Sequence, residues 1–201
     1  MMLGTAAHAV PVVYSGIDFG ANSLADGVNS MAVAAAFDAA SGPLNIIDFD
    51  TNTTGATFSP ASQPVACGFA LCDGNTTTGG SNYFGHVYAT TITFDAPIDA
   101  FGAYFSGWQR GSQTLTYTDG STVTLNMPDG NLNLGGVVFF GFIDGGASIA
   151  SITYDTPLGD YVGIDDVRFG KVSSVPEPAT LTLLGFGFAA LGFAGRRRKQ
   201  A

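Results

Sequence analysis

Gln113-Thr-Leu-Thr-Tyr-Thr-Asp-Gly-Ser-Thr-Val-Thr-Leu-Asn-Met127 is the stretch on which the fold turns. Leu115 and Tyr117 lead into Asp119-Gly120, and Val123 and Leu125 lead out, each apolar residue separated from the next by a polar one. Alternation of period two marks a strand with one buried face. A two-residue turn at Asp119-Gly120 would pair Tyr117 with Thr122 and set the two apolar pairs on opposite faces. A three-residue loop, Thr118 to Gly120, pairs Leu115 with Val123 and puts all four on one face, with Gly120 left-handed. Burial of a single face decides register, so the second pairing is expected.

Working outward, further strands are expected at 44–50, 83–94, 98–106, 136–143, 147–154 and 161–169, with the hairpin itself at 113–117 and 121–127. Asp95-Ala-Pro97, Pro128-Asp-Gly130, Asp144-Gly-Gly146 and Thr156-Pro157 punctuate them. Val137-Val-Phe-Phe-Gly-Phe-Ile143 is almost wholly apolar, as a central strand would be. In the last strand Ile164 and Val167 can share a face only if Asp165-Asp166 form a bulge. Asn29 to Ala40 reads as one short helix, capped by Asn29 or Ser30 and ended by Gly42-Pro43. Eight short strands at this spacing predict an all-β fold, an antiparallel, jelly-roll-like β-sandwich with one short N-terminal helix. Residues 52–82 are rich in Thr, Gly, Asn and Ser. Asn75 to Asn82 reads as an exposed loop, for binding or as surface filler.

The stretch 10–174 carries 15 Asp, no Glu, and only Arg110, Arg168 and Lys171 as cations, a net charge of −12. Such a body repels nucleic acid and anionic lipid, and suits an exported surface or one that binds divalent cations. Cys67 and Cys72 are the only cysteines. They form a small-loop disulfide in an oxidising compartment, or remain two thiols; two ligands alone make a poor zinc site. At the front, Ala7-His8-Ala9 is a small-x-small cleavage pattern behind Met1-Met2-Leu3, so residues 1–9 are expected to be the remnant of a signal peptide whose start lies upstream. A chance Ala-rich start is the alternative.

The other end is an address. Val175-Pro176-Glu177-Pro178 precedes 17 uncharged residues, Ala179 to Gly195, and then Arg196, Arg197, Arg198 and Lys199. As a helix the run would reach about 25 Å, the short end of what a bilayer core needs, with the arginines snorkelling to supply the rest. The basic stop stays cytoplasmic, which places the body outside. A buried core helix is the bland alternative, but four consecutive cations and four glycines within the run fit it poorly. Pro176 and Pro178 hold the motif extended, accessible just outside the membrane.

Motif, span and basic end together resemble a PEP-CTERM sorting signal of Gram-negative bacteria. The resemblance implies Pro176, Glu177 and Pro178 as the sorting motif, Arg196 to Lys199 as the stop, and an exosortase-type membrane enzyme as partner. It further implies transient inner-membrane insertion, then release to the cell surface or outside. More loosely, Gly74 to Asn82, Ala96 to Tyr104, Phe139 to Phe142 and Val162 to Val167 are similar to ectodomains that precede such tails, β-sandwiches related in look to carbohydrate-binding modules. The domain plan is then 1–9, an exported body at 10–174 and a tail at 175–201 (motif 175–178, transmembrane helix 179–195, basic end 196–199).

Within the body, Asp48-Phe-Asp50-Thr-Asn52 puts oxygen ligands on alternate positions, as calcium loops do, though Thr53 and Ser59 stand where an EF-hand needs Gly and Glu. The second resemblance implies a structural calcium between Asp48 and Asp50 of the early strand and Asp165 and Asp166 of the last; turn-capping aspartates are the alternative. Trp108, beside Gln109 and Arg110, and Tyr83, beside the Gly/Ser loop, are candidate sugar platforms or else packing aromatics. Catalysis has little to work with: no nucleophile elbow, and His86 as the sole imidazole of the body. The expected function is therefore a non-catalytic, exported surface or matrix component that binds exopolysaccharide. The rivals are a secreted hydrolase with the same tail and an uncleaved single-pass anchored protein.

Overall fold

A computed structural model describes residues 10–21, 26–60, 64–66, 82–86, 89–129, 136–155 and 162–172. Their strands are β1 (Val12–Phe19), β2 (Asn45–Ile47), β3 (Ala56–Ser59), β4 (Pro64–Ala66), β5 (Asn82–His86), β6 (Thr90–Ile98), β7 (Ala100–Ser106), β8 (Ser112–Tyr117), β9 (Thr122–Asn126), β10 (Gly136–Ile143), β11 (Ile149–Asp155) and β12 (Val162–Gly170). The helix α1 spans Val28–Ser41, between β1 and β2. A seven-stranded antiparallel sheet runs β1-β10-β7-β12-β5-β4, with β2 also on β12; a five-stranded one runs β3-β6-β11-β8-β9. Their inner faces form one core, Phe101, Phe105, Phe140 and Phe142 of the first sheet against Ile92, Leu115, Ile152 and Tyr154 of the second. The expected β-sandwich is there.

The hairpin register is the one burial of a face required: Leu115 opposes Val123, and Gly120 has φ of 84°. Tyr117 donates its N–H to the Ser121 carbonyl at 2.9 Å, closing the three-residue loop. The bulge in β12 is present too. Its partner β7 advances from Tyr104 to Gly102 while β12 goes from Asp165 to Arg168, and Asp166 has φ of 48°. Ile164 and Val167 consequently both reach the core.

Three expectations are corrected. Residues 83–94 are not one strand but β5 and β6, which belong to different sheets. Asp95-Ala-Pro97 does not end β6; the strand runs on to Ile98, and its pairing with β11 slips between Thr93 and Ile98, where Pro97 has no ladder bond to supply. Neither Asn29 nor Ser30 caps α1. Gly27 is the N-cap residue and makes no side-chain cap bond, and the carboxylate of Asp18 on β1 takes over. Asn29 and Ser30 donate their N–H groups to it at 3.1 and 2.8 Å, and Asn29 Nδ2 donates at 2.8 Å. The helix lies on the outer face of β1, β10 and β7, close enough that a Cβ on Gly16 would meet the Asn29 carbonyl oxygen at 2.7 Å. Phe37 and Ala34 pack there on Phe139, Tyr104 and Val137 in a second, smaller core.

Candidate functional site

The bulge at Asp165-Asp166 shifts the alternation of β12 by one residue, so Arg168 emerges on the outer face, beneath α1. Its guanidinium lies 5.3 Å from the Tyr104 ring centroid and 5.8 Å from that of Phe139. Nε meets Asp38 Oδ1 at 3.0 Å, and Nη1 donates to the Asp166 carbonyl at 2.8 Å. Gly42, left-handed at φ of 71°, stops α1 just past Asp38, and Pro43 keeps the chain from resuming the helix. The result is an open groove of about 400 Å³ lined by Asp38, Gly42, Pro43, Leu44, Ile46 and Arg168. It sets an ion pair beside aliphatic side chains, a combination that offers a donor, an acceptor and an apolar surface to a polar ligand. The Asp38 carboxylate is half-exposed, at 49 %, whereas the Arg168 side chain is only 13 % exposed, so the pair is sheltered on the arginine side. The rings under the guanidinium fix its orientation.

Sequence reasoning missed this groove. Arg168 was one of three cations in the body, which is a signal, but its partner Asp38 sits 130 positions away in a helix.

The structure gives each of the four calcium candidates a partner within the protein. Asp48 spends its carboxylate on its own loop: Oδ1 accepts the N–H groups of Asp50, Thr51 and Asn52 at 3.1, 2.8 and 2.7 Å, and Oδ2 accepts the Thr51 hydroxyl at 2.6 Å. The Thr51 hydroxyl first, then the N–H groups of Asn52 and Thr51, hold its carboxyl down to about 2. Phe49, with φ of 56°, breaks the alternation that would have aligned Asp48 and Asp50, and Asp50 turns to Asn82, whose Nδ2 donates at 2.8 Å. Asp165 Oδ1 accepts the Asp166 N–H at 2.8 Å. Among the described residues no three His, Cys, Asp or Glu side chains converge on a cation site. These aspartates shape a turn and a bulge.

The sugar platforms are corrected as well. Trp108 and Tyr83 are both 0 % exposed. Trp108 packs edge-on against Phe105, and its Nε1 donates to the Pro128 carbonyl at 3.1 Å. Neither ring has a face to offer a ligand. His86 lies in β5 opposite Val162. Cys67 and Cys72, residues 1–9, and the whole tail with Pro176, Glu177, Pro178 and Arg196 to Lys199 lie outside the described residues. Among those described, no helix is long and apolar enough to cross a membrane.

At the C-terminal end of the body, Asp99 accepts the Val172 N–H at 2.6 Å and lies 3.7 Å from Lys171 Nζ, which also donates to the Ala147 carbonyl. The Asp99 N–H in turn donates to Gly170 at 2.9 Å. This buried carboxylate ties Lys171 and Val172 to the chain just ahead of β7.

Residues 174–199 match the family model described as the PEP-CTERM protein-sorting motif. The motif marks the chain for export and for sorting to the cell envelope or surface by an exosortase-type system. No curated protein matches the sequence. Among solved structures, the chain is similar to a family 6 carbohydrate-binding module, with 15% identity over 64% of this chain and 94% of that one and a TM-score of 0.36. It is similar to the C-terminal family 22 carbohydrate-binding module of Clostridium thermocellum Xyn10B, with 12% identity over 69% and 98% and a TM-score of 0.38. A third, TmCBM61 in complex with β-1,4-galactotriose, has 13% identity over 67% and 93% and a TM-score of 0.28.

Proposed function

We propose that this chain is a non-catalytic component of the cell surface or extracellular matrix, delivered by its tail and binding exopolysaccharide through its body. The observation that carries the reading is the sorting motif at 174–199 standing directly behind a β-sandwich. In this reading residues 179–195 insert as a temporary transmembrane helix and the exosortase-type enzyme removes them. The groove at Arg168 is the binding site. A sugar ring would set hydroxyls against the Arg168 N–H groups and the Asp38 carboxylate, and its C–H face against Pro43, Leu44 and Ile46. Asp38 and Arg168 neutralise each other, so the groove takes a neutral or weakly charged polymer in spite of the acidic body.

The test is a glycan array followed by titration with the full chain in detergent. Asp38→Ala should weaken binding about tenfold, the loss of one hydrogen bond to a charged group, with circular dichroism confirming the fold, because the sheltered Arg168 loses its carboxylate partner. Absence of binding to any glycan, or binding unaffected by Asp38→Ala, removes the groove from the reading and leaves the body a structural role.

A further inference from the structure

The edges of the two sheets are not alike. β3 and β9, which close the smaller sheet, are four and five residues long, and their exposed positions are Thr57, Ser59, Thr122, Thr124 and Asn126. β4 spans three residues and begins with Pro64, which has no N–H. Short strands, polar side chains and proline are the usual protections of a sheet edge. β1 has none of them. It spans eight residues, and among the described residues it pairs only with β10. Val10, Val12, Val13 and Phe19 are 88, 58, 44 and 61 % exposed, and Val28 and Met31 of the first turn of α1 are exposed nearby. Six of the seven exposed large apolar side chains of the described body therefore fall on this one flank, the seventh being Ile46.

We propose that β1 is an assembly edge, and that its partner is β1 of a second copy of this chain, paired antiparallel about a two-fold axis. An unprotected edge is a ready template for another strand, whose backbone replaces water on its outward N–H and C=O groups. A two-fold axis makes the strand its own complement, and the two larger sheets merge into one. Charge selects the same contact. A chain of net charge −9 repels its copy over most of its surface. Along β1 the only carboxylate is Asp18, and it is turned inward and held by Asn29 and Ser30. Asp26, ahead of α1, is the next one in the chain. Two acidic bodies can thus approach along this strip with no carboxylate of either β1 facing the other, and they cover their exposed valines and Phe19 in doing so.

The experiment is light scattering on the full chain in detergent at about 10 μM, the range that detects a micromolar dimer, for the natural sequence, Val13→Lys and Asn126→Lys. A dimer is expected for the natural chain and for Asn126→Lys, which alters the opposite sheet's edge. Val13→Lys should be monomeric, its dimer at least tenfold weaker. Amide hydrogen exchange should show β1, and no other strand, gaining protection as concentration rises. Near-UV circular dichroism confirms that Val13→Lys is folded; if it is not, Ser15→Lys on the same face replaces it. A monomeric natural chain overturns the proposal. So does a folded Val13→Lys that still dimerises, which would place the contact in the tail, and so does protection gained elsewhere than β1.

Discussion

Asp18 shows how a single carboxylate can hold two elements together. The first N–H groups of α1 have no partner inside the helix, and its positive end favours an anion. β1 passes alongside and supplies one, with both oxygens used. Burial opposes ionisation of Asp18, but the donors on Ser30 and then Asn29 outweigh it and hold the carboxyl below its ordinary value. The folded form therefore prefers the ionised acid more than the unfolded chain does. Its contribution is complete above the ordinary carboxylate value near 3.8 and fades as pH falls through the lower, folded value. Asp18→Ala should cost about 1–2 kcal/mol at neutral pH, a fall of roughly 2–8 °C in melting temperature. The gap between the two proteins should close as the pH is lowered through the folded value, below 3.8. Melts at pH 7 and in acid measure both; a gap that widens in acid would show that the carboxylate is not what caps the helix. None of this was legible locally, because a capping rule looks next to the helix and the cap comes from a residue 11 positions before Asn29. Trp108 misled for the same reason: beside Gln109 and Arg110 it reads as a surface aromatic, but it joins the core against Phe105 and bonds the distant Pro128 carbonyl.

At the scale of elements, the sequence is readable wherever one face alone is buried. β8 and β9 carry strict alternation and a turn glycine, so their register followed from the residues. The bulge of β12 followed from two apolar residues at an impossible spacing. β1 has no such signal. Its Gly16 and Asp18 face α1, while Val12, Val13, Ser15 and Phe19 are exposed, so neither period nor polarity marks it as a strand. β3 and β4 are too short to show a period against their Thr- and Ser-rich surroundings. The hairpin also gives a clean measure of backbone cost. Gly120 is left-handed, and a Cβ there would meet nothing within 4 Å, so substitution tests conformation without a clash. Gly120→Ala should lose about 1 kcal/mol, or ~2–4 °C. Gly120→Asn should recover part of that, since Asn tolerates the left-handed region better than Ala. Equal melting of the Ala variant and the natural chain would mean that the loop has another conformation in solution.

For the whole molecule, the decisive relation is between the tie at Val172 and the sorting motif that follows it. β12 is an interior strand, paired with β7 on one side and with β5 and β2 on the other. Its last turn of chain is tied down by Asp99 through the Val172 N–H and Lys171. The sorting motif begins at residue 174, two positions later. A processing enzyme needs several residues extended in its site, and those preceding Val172 can be supplied only by pulling β12 out of the larger sheet. That would expose Val162, Ile164, Val167 and Phe169, all in the core. At about 1.5–3 kcal/mol for each buried side chain, the cost is comparable to the stability of a whole domain. If the tail is removed as proposed, the cut is expected beyond Val172, on the side of Pro176. Intact-mass measurement and C-terminal peptide mapping of the protein recovered from cells should find a terminus after residue 172 and before the apolar run at 179–195. A terminus upstream of Val172 would mean that β12 is released during processing, and an intact chain ending at Ala201 would mean that the tail serves as an anchor and is not removed.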